Sequence, residues 1–554
     1  MSSARWRATP RRKLFPLAAP VLAGCLTAAA ASPTSPGHPS APSIGPVEIT
    51  TLKLPAGVTV RSATYTPSGK VLLSYSAGRG GGPDPIRLAT MDDDGRNFRP
   101  FFAKPVAEKA QSNGTRYMVF ADNRRVLLGD YVIECREALE ECRDPALLPV
   151  KYPAEIASGD HIAVRWSEIV IAPDNRHMAW TTLFANYSAM VFLGELRRDG
   201  SRYVIDDPRI ISTLDRFRND PAHADGVLPR PLLGGEVKQF VHGGRALSVV
   251  GAAERDLPGS VVIHLDSGDR EVITNPPGYT ETTIFSPDER LGIVMSPRFA
   301  ERTDLKLLSL MPRPYPDSLN MGLSMLAYTH SVTGVRRGRP GTVGPVLIDI
   351  GAARSDHGHL GIDLARDEKW VFYSPMSWHP GSRKAMWIEG EQGTRNFRVR
   401  IASLPDYRPA AGVAVEITPV ALGSPDLSVV RAYAAKSQDI DVKVYGRKSG
   451  YITYRRSRDG RIEKRYADFS DDGKRIYSGQ ETMQAGRQGK SVYTADLRLS
   501  GAESGTMALK MTFGPLGAPI PAPLIFDGDS AGAPQTSGYV EYAGKRLTVD
   551  NLVP

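Results

Sequence analysis

Ser286-Pro-Asp-Glu-Arg290, followed at once by Leu291-Gly-Ile-Val-Met295, is a turn motif that leads into a short apolar strand. Related turn motifs recur at three other places, and each is again followed by an apolar run: Tyr65-Thr-Pro-Ser-Gly-Lys70, Ala172-Pro-Asp-Asn-Arg176 and Ser470-Asp-Asp-Gly-Lys474. A turn that feeds a strand, repeated through one chain, is typical of a β-propeller. The predicted fold class is therefore all-β.

The aspartates of these turns form a row of carboxylates, and their predicted role is conformational. An aspartate side chain bonds to the backbone that follows it, and glycine accepts the backbone angles of a tight turn. We therefore expect Asp174, Asp288, Asp472 and Gly473 to shape turns rather than to carry out chemistry.

Residues 48–500 read as a series of four-stranded antiparallel blades. In the clearest one, Asp94-Gly95 makes a hairpin turn before the fourth strand. The best count is seven blades, and uneven repeats longer than roughly 40–45 residues leave six or eight open. Residues 501–554 are also rich in β-formers and either close the propeller or form a small β appendage.

The first 24 residues read as an export signal, with a basic start and an apolar stretch too short to span a bilayer. It ends in Leu22-Ala-Gly-Cys25, which resembles the lipobox of bacterial lipoproteins. The resemblance implies cleavage before Cys25 and lipid attachment to its thiol. An ordinary secretory signal with an accidental cysteine is the alternative.

Residues 25–47 are dominated by small residues and proline, which is typical of a flexible tether. A tether supports the lipobox interpretation, since a lipid-anchored domain needs a flexible connection to the membrane. In Gram-negative lipoproteins, the lack of aspartate after the cysteine, where this chain has Leu26, implies sorting to the outer membrane. The predicted location is the periplasmic face of a bacterial membrane, and the lipid is the only predicted membrane contact.

The formal net charge of +9 is partly a property of the export signal. That segment holds no acidic residue and five basic ones: Arg5, Arg7, Arg11, Arg12 and Lys13. No basic run elsewhere argues for nucleic acid as a partner.

Cys135 and Cys142 are the only cysteines besides Cys25. In an oxidising compartment, a disulfide that closes this small loop is the favoured interpretation. A metal site would need more ligands than two thiols, and a redox motif is usually more closely spaced.

The turn motifs also carry a family resemblance. Phe285-Ser-Pro-Asp-Glu-Arg-Leu-Gly-Ile-Val294 and Phe469-Ser-Asp-Asp-Gly-Lys-Arg-Ile-Tyr477 are similar to the repeat of TolB-like propellers. The resemblance is specific for fold and weak for function. TolB itself has an α/β domain before its propeller and no lipobox, so a Tol–Pal role is not implied.

Catalytic motifs are scarce in this sequence. TolB-like repeats also precede the hydrolase domain of prolyl-oligopeptidase-type serine peptidases, but no long βαβα stretch remains in this sequence to house such a domain. The best polar cluster is Asp356-His-Gly-His359, in which His357 and His359 would share one side of a strand. With His379 they could ligate a divalent metal, as in some propeller lyases, although a polar loop between blades is the favoured interpretation.

Trp378 is the aromatic residue best placed to stack on a ligand such as a sugar, although burial between blades is the more common role of tryptophan. The sequence as a whole favours a non-catalytic, lipid-anchored envelope protein that binds a protein or a glycan and needs no cofactor. The alternative is a metal-dependent polysaccharide lyase or hydrolase with its site in the propeller channel.

Overall fold

The computed structural model of the protein describes residues 44–551, apart from several internal stretches. The stretches that it leaves out are 78–84, 107–116, 158, 160, 185–187, 253–256, 275–277, 301–305, 320, 357–358, 365–366, 421–424, 436–438, 487–488 and 516–522. The predicted export signal, Cys25 and the tether up to residue 43 lie outside the described residues.

Six four-stranded antiparallel units lie within residues 48–403, and a parallel pairing of β13 with β9 joins two of them, blades 2 and 3, into one eight-stranded sheet. The first described strand is β1 (Glu48–Thr51). Blade 1 consists of β2 (Val58–Tyr65), β3 (Val71–Ala77), β4 (Ile86–Met91) and β5 (Arg99–Lys104). Blade 2 consists of β6 (Tyr117–Val119), β7 (Arg125–Leu128), β8 (Tyr131–Glu134) and β9 (Ala146–Lys151). After helix α1 (Ala154–Ala157), blade 3 consists of β10 (Ile162–Ile171), β11 (His177–Phe184), β12 (Ala189–Asp199) and β13 (Arg202–Ile210).

A two-stranded hairpin, β14 (Phe217–Asn219) and β15 (Val227–Pro229), follows blade 3. Blade 4 consists of β16 (Glu236–Val241), β17 (Ala246–Ala252), β18 (Pro258–His264) and β19 (Arg270–Val272). Blade 5 begins with β20 (Glu281–Phe285) and β21 (Leu291–Ser296). A helical insertion comes next, with α2 (Lys306–Leu310), α3 (Pro316–Leu319), α4 (Met321–Thr329) and α5 (Arg336–Gly338). Blade 5 then ends with β22 (Gly344–Asp349), α6 (Ile350–Ser355) and β23 (Ile362–Asp363), and blade 6 follows with β24 (Trp370–Trp378), β25 (Lys384–Glu391) and β26 (Phe397–Ser403).

The first described strand closes the ring. β1 pairs antiparallel with β26, with Glu48 opposite Ser403, and so becomes the fourth strand of blade 6. The first strands of successive blades also contact one another, from β6 through β10, β16, β20 and β24 to β2. Pairing a terminal strand into the last blade removes an open edge, as propellers require.

The prediction of an all-β propeller is confirmed, and the described strands form six four-stranded units, a number that the sequence left open beside the best count of seven. The segments expected to form a seventh blade belong to a second sheet instead. That sheet has eight consecutive antiparallel strands, preceded by α7 (Val430–Ala435): β27 (Ile440–Tyr445), β28 (Ser449–Arg456), β29 (Arg461–Ser470), β30 (Arg475–Gln484), β31 (Ser491–Gly501), β32 (Gly505–Phe513), β33 (Ser537–Tyr542) and β34 (Lys545–Thr548).

The second sheet crosses the predicted boundary at residue 500. Within residues 501–554, the described strands β32 to β34 continue the sheet that begins at Ile440, so these strands neither close the propeller nor form a separate appendage. One face of this sheet packs on the helical insertion of blade 5, and Leu308, Leu323 and Leu326 share a core with Ile452 and Met511. Sheet and insertion together are called the second lobe below.

The turn motif has the predicted conformational role. Asp174 accepts hydrogen bonds from the backbone N–H groups of Arg176 (2.8 Å) and His177 (3.0 Å), and Asp472 does the same for Lys474 (2.7 Å). The residue after each aspartate has a positive φ: 61° at Asn175, 54° at Glu289 and 71° at Gly473. Asparagine and glycine tolerate that region best, which explains their recurrence there.

Cys135 and Cys142 are joined in a disulfide, with their Cα atoms 5.6 Å apart. The bridge closes a surface loop that follows β8, and both cysteines are buried.

None of the helices in the described parts of the chain has the length and apolar character that a bilayer crossing requires.

Candidate functional site

An extended segment, residues 407–418, crosses the first turns of blades 5, 4 and 3, and is called the strap. Asp288 accepts hydrogen bonds from the Tyr407 hydroxyl (2.6 Å) and the Ala410 N–H (3.1 Å). The Glu416 N–H donates to the carbonyl of Gly243 at 2.9 Å. The Thr418 N–H donates to Asp174 at 3.0 Å. Two aspartates of the repeated turns therefore fix the strap in addition to shaping their own turns.

Glycine is required where the strap meets blade 4. Gly243 has a φ of 66°, and a Cβ there would collide with the carbonyl oxygen of Ala414. The strap and the turn can approach this closely only because Gly243 lacks a side chain.

Three apolar side chains of the strap are exposed to solvent: Val413 is 41% exposed, Val415 59% and Ile417 68%. Ala414 and Glu416, which lie between them, are exposed as well, and it is their backbone that lies against Gly243 of blade 4. The side chains of Val413, Val415 and Ile417 are called the ridge. Contiguous exposed apolar residues are uncommon on monomers and mark interaction sites.

The centre of the propeller holds a buried cluster of charges. The Lys238 ammonium lies 2.8 Å from a carboxylate oxygen of Glu236, 3.1 Å from Glu168 and 3.3 Å from Glu281. The lysine and Glu236 are on β16, Glu168 is on β10 and Glu281 is on β20, so the first strands of three neighbouring blades meet at one cation. The Lys238 side chain is only 4% exposed.

Two tyrosines complete this cluster. The Tyr279 hydroxyl donates to Glu281, and the Tyr328 hydroxyl of α4 donates to Glu236 at 3.1 Å. Burial, with the nearby Glu281 carboxylate, raises the pKa of Tyr279 well above its ordinary value, so it remains a donor. The ammonium, the carboxylates and the hydroxyls of this cluster bond to one another. The cluster therefore joins the blades and is not arranged to offer a general acid or base to a substrate.

The solvent-facing side of the eight-stranded sheet carries a polar cleft of about 580 Å³. Its lining combines the exposed Tyr451 with charged and amide side chains, including Arg455, Glu463, Arg465 and Gln480. The volume lies within the range of small-ligand sites, and the lining suits a hydrophilic ligand.

The described members of the predicted metal site are not brought together. His357 lies outside the described residues, so the pair that it would form with His359 stays a prediction. Asp356 and His359 precede β23 in blade 5, whereas His379 lies in the first turn of blade 6. Among the described residues, these three do not form a group close enough to share a metal ion.

The two described histidines have separate surroundings. The Nδ1 atom of His379 accepts the Gly381 N–H at 3.0 Å, and its ring edge meets Tyr65. Burial lowers the pKa of both His359 and His379, and the charge of Arg298 adds to the effect at His359. His379 therefore does not share a site with His359 and Asp356, and this part of the predicted metal site is wrong.

Trp378 is 7% exposed and packs in the core between blades. Its indole N–H donates to the carbonyl of Ile284 at 2.8 Å. Trp378 is therefore a packing residue. Of the two roles that the sequence left open, the structure shows burial between blades and not ligand stacking.

Sequence reasoning missed Glu168, Lys238 and Glu281, although a signal was present. Each is a charged residue of the first strand of a blade, four or five residues before the turn that leads to the second strand. A charge at that repeated position points into the ring, where only an oppositely charged partner makes burial tolerable.

No protein-family model and no curated protein matches the chain. Similar solved structures include the putative TolB from Agrobacterium tumefaciens, with 12% identity over 55% of this chain and 79% of that one and a TM-score of 0.31. An oligogalacturonate lyase from Vibrio parahaemolyticus has 10% identity over 66% and 96% with a TM-score of 0.34. A sialidase from Trypanosoma rangeli has 10% identity over 90% and 88% with a TM-score of 0.31. Similarity this weak carries no argument about activity.

Proposed function

We propose that the protein is an exported, lipid-anchored binding protein on the periplasmic face of a bacterial membrane, the outer membrane where the cell has one. Its partner is an envelope protein that covers the ridge with an apolar segment. The observation that carries the proposal is the exposure of Val413, Val415 and Ile417 on a strap fixed to three blades.

The energetics of the ridge support a docking role. Removing apolar surface from water contributes roughly 25 cal/mol per Å², so three half-exposed aliphatic side chains offer a partner a gain of a few kcal/mol. The strap is already ordered by its hydrogen bonds, so little conformational entropy is lost when the partner binds.

A glycan is a second ligand class, and the polar cleft of the second lobe favours it. An exposed tyrosine beside arginine, glutamate and glutamine side chains can stack on a sugar ring and bond its hydroxyls. A glycan bound there would leave the ridge open for a protein.

Changing Cys25→Ser tests the anchor. The parent protein is expected in the membrane fraction and to carry a fatty-acid label, because the thiol is the attachment point. The variant is expected in the soluble periplasmic fraction without label. Ser32→Ala, in the tether, is the matched control and should behave like the parent. Equal label and equal fractionation for Cys25→Ser and the parent would refute the anchor.

A further inference from the structure

Three potential metal ligands converge on blade 4, outside the groups discussed above. His242 lies in the turn between β16 and β17, His264 ends β18, and Glu271 is on β19. Each offers one ligand atom, and these atoms lie within 4.8 Å of one another. The two imidazole rings are nearly parallel, with centroids 5.4 Å apart. All three side chains are partly exposed, so an ion could reach them from solvent.

His242 is held in an orientation that leaves one nitrogen available. Glu289, from the first turn of blade 5, accepts the His242 backbone N–H at 2.6 Å and lies 2.8 Å from its Nδ1 atom. A carboxylate at Nδ1 keeps the proton there, so the lone pair is on Nε2. Carboxylates orient metal-binding histidines in this way in many metalloproteins.

Glu271 is likewise positioned by a neighbour. Arg354, from α6, donates to both of its oxygens, at 2.7 and 3.0 Å. One of these oxygens also lies 3.9 Å from the Nε2 atom of His264. A carboxylate oxygen has two lone pairs, so it can accept from the arginine and still bind an ion.

We infer that His242, His264 and Glu271 bind a divalent transition-metal ion, with Zn²⁺ as the ion that best suits two imidazoles and one carboxylate. At metal–ligand distances of about 2.0–2.2 Å, the ligand atoms must approach to about 3.3 Å, which needs small side-chain rotations. Three protein ligands leave a fourth position for water or for a carboxylate of a partner. The site lies beside the strap, because Gly243 and Arg245 of the same turn bond to Glu416.

Zinc binding to the mature, untagged chain, stripped with a chelator, tests this inference. Calorimetric titration with Zn²⁺ is expected to give one site per chain and a zinc-dependent rise in the melting temperature. Co²⁺ is expected to give visible absorption bands of a tetrahedral site with nitrogen and oxygen ligands. His264→Gln should remove the site, and His242→Asn should do so while tolerating the positive φ of 54° at that position.

His223→Gln is the matched control. His223 is also partly exposed and lies 2.8 Å from a carboxylate, that of Asp220, but it is not part of the group of three. It should leave zinc binding unchanged, whereas Glu289→Gln should weaken it about 10–100-fold. No binding by the parent chain would overturn the inference. So would binding that survives in His264→Gln or that is lost in His359→Gln.

Discussion

Changing Lys238→Met is expected to destabilise the folded propeller by about 3–5 kcal/mol. Methionine fills nearly the same volume, but it leaves the carboxylates of Glu168, Glu236 and Glu281 facing one another around an apolar side chain. Buried carboxylates that lose their cation must repel each other or take up protons, and both are costly. The loss of stability should affect β10, β16 and β20 together, because each strand supplies a carboxylate to the cluster.

Hydrogen exchange of these three strands measures the effect. Their backbone amides should exchange faster in Lys238→Met, while those of β31 in the second lobe change little. Lys443→Met is the control, because Lys443 pairs with Asp225 at the surface, and it should leave exchange in the propeller as it is. A stability within about 0.5 kcal/mol of the parent would show that the cluster does not hold the ring.

The second large effect is expected for Glu481→Gln in the second lobe, again about 3–5 kcal/mol. Glu481 is buried between the helical insertion and the sheet, where it binds Arg313 at 2.7 Å and Lys464 at 2.9 Å. The hydroxyls of Tyr466 and Tyr493 also donate to it, at 2.6 and 2.7 Å. An amide keeps the shape but leaves two buried cations without their anion.

The same residue sets a pH dependence. Burial alone would raise the pKa of Glu481, but the charges of Arg313 and Lys464 outweigh it and hold that pKa well below its usual range. A depressed folded-state pKa stabilises the fold above the unfolded-state pKa, about 4.3, and the contribution is lost as the pH falls towards the folded-state value. Stability of the parent should therefore fall below about pH 4 more steeply than that of Glu481→Gln.

Urea unfolding followed by hydrogen exchange in β29 to β31 tests both expectations. Glu463→Gln is the control, because Glu463 pairs with Arg465 on the solvent side of the same sheet and should cost at most about 1 kcal/mol. Equal losses for the two variants would contradict the assigned role of Glu481.

The sequence predicted the propeller well because its turns have a local code. An aspartate that bonds to its following backbone and a residue that tolerates positive φ mark each turn wherever it occurs. The same code misled the blade count, since Ser470-Asp-Asp-Gly-Lys474 joins β29 to β30 in a continuous sheet. Turn chemistry fixes a hairpin, but the partner of each outer strand depends on long-range packing, here on Leu308, Leu323 and Leu326 of the helical insertion.

The strap and the histidine–glutamate group of blade 4 were harder to predict from the sequence. The strap pairs with no neighbouring strand among the described residues, so the alternation of Val413, Val415 and Ile417 is that of a strand although the segment belongs to no sheet. What fixes the strap are contacts to Asp174 and Asp288, more than a hundred residues away along the chain. His242 and Glu271 escaped notice for the same reason, since their spacing in the chain says nothing about their distance in space.

Photo-crosslinking from position 415 in intact cells tests the central claim most directly. With a photoreactive phenylalanine analogue in place of Val415, the account predicts an adduct with a discrete envelope protein that disappears when Ile417→Asp is added. The same analogue at Gly200, in the open turn between β12 and β13, should give no such adduct. Adducts that are identical from both positions, that contain only lipid or glycan, or that fail to form would contradict a protein-binding ridge.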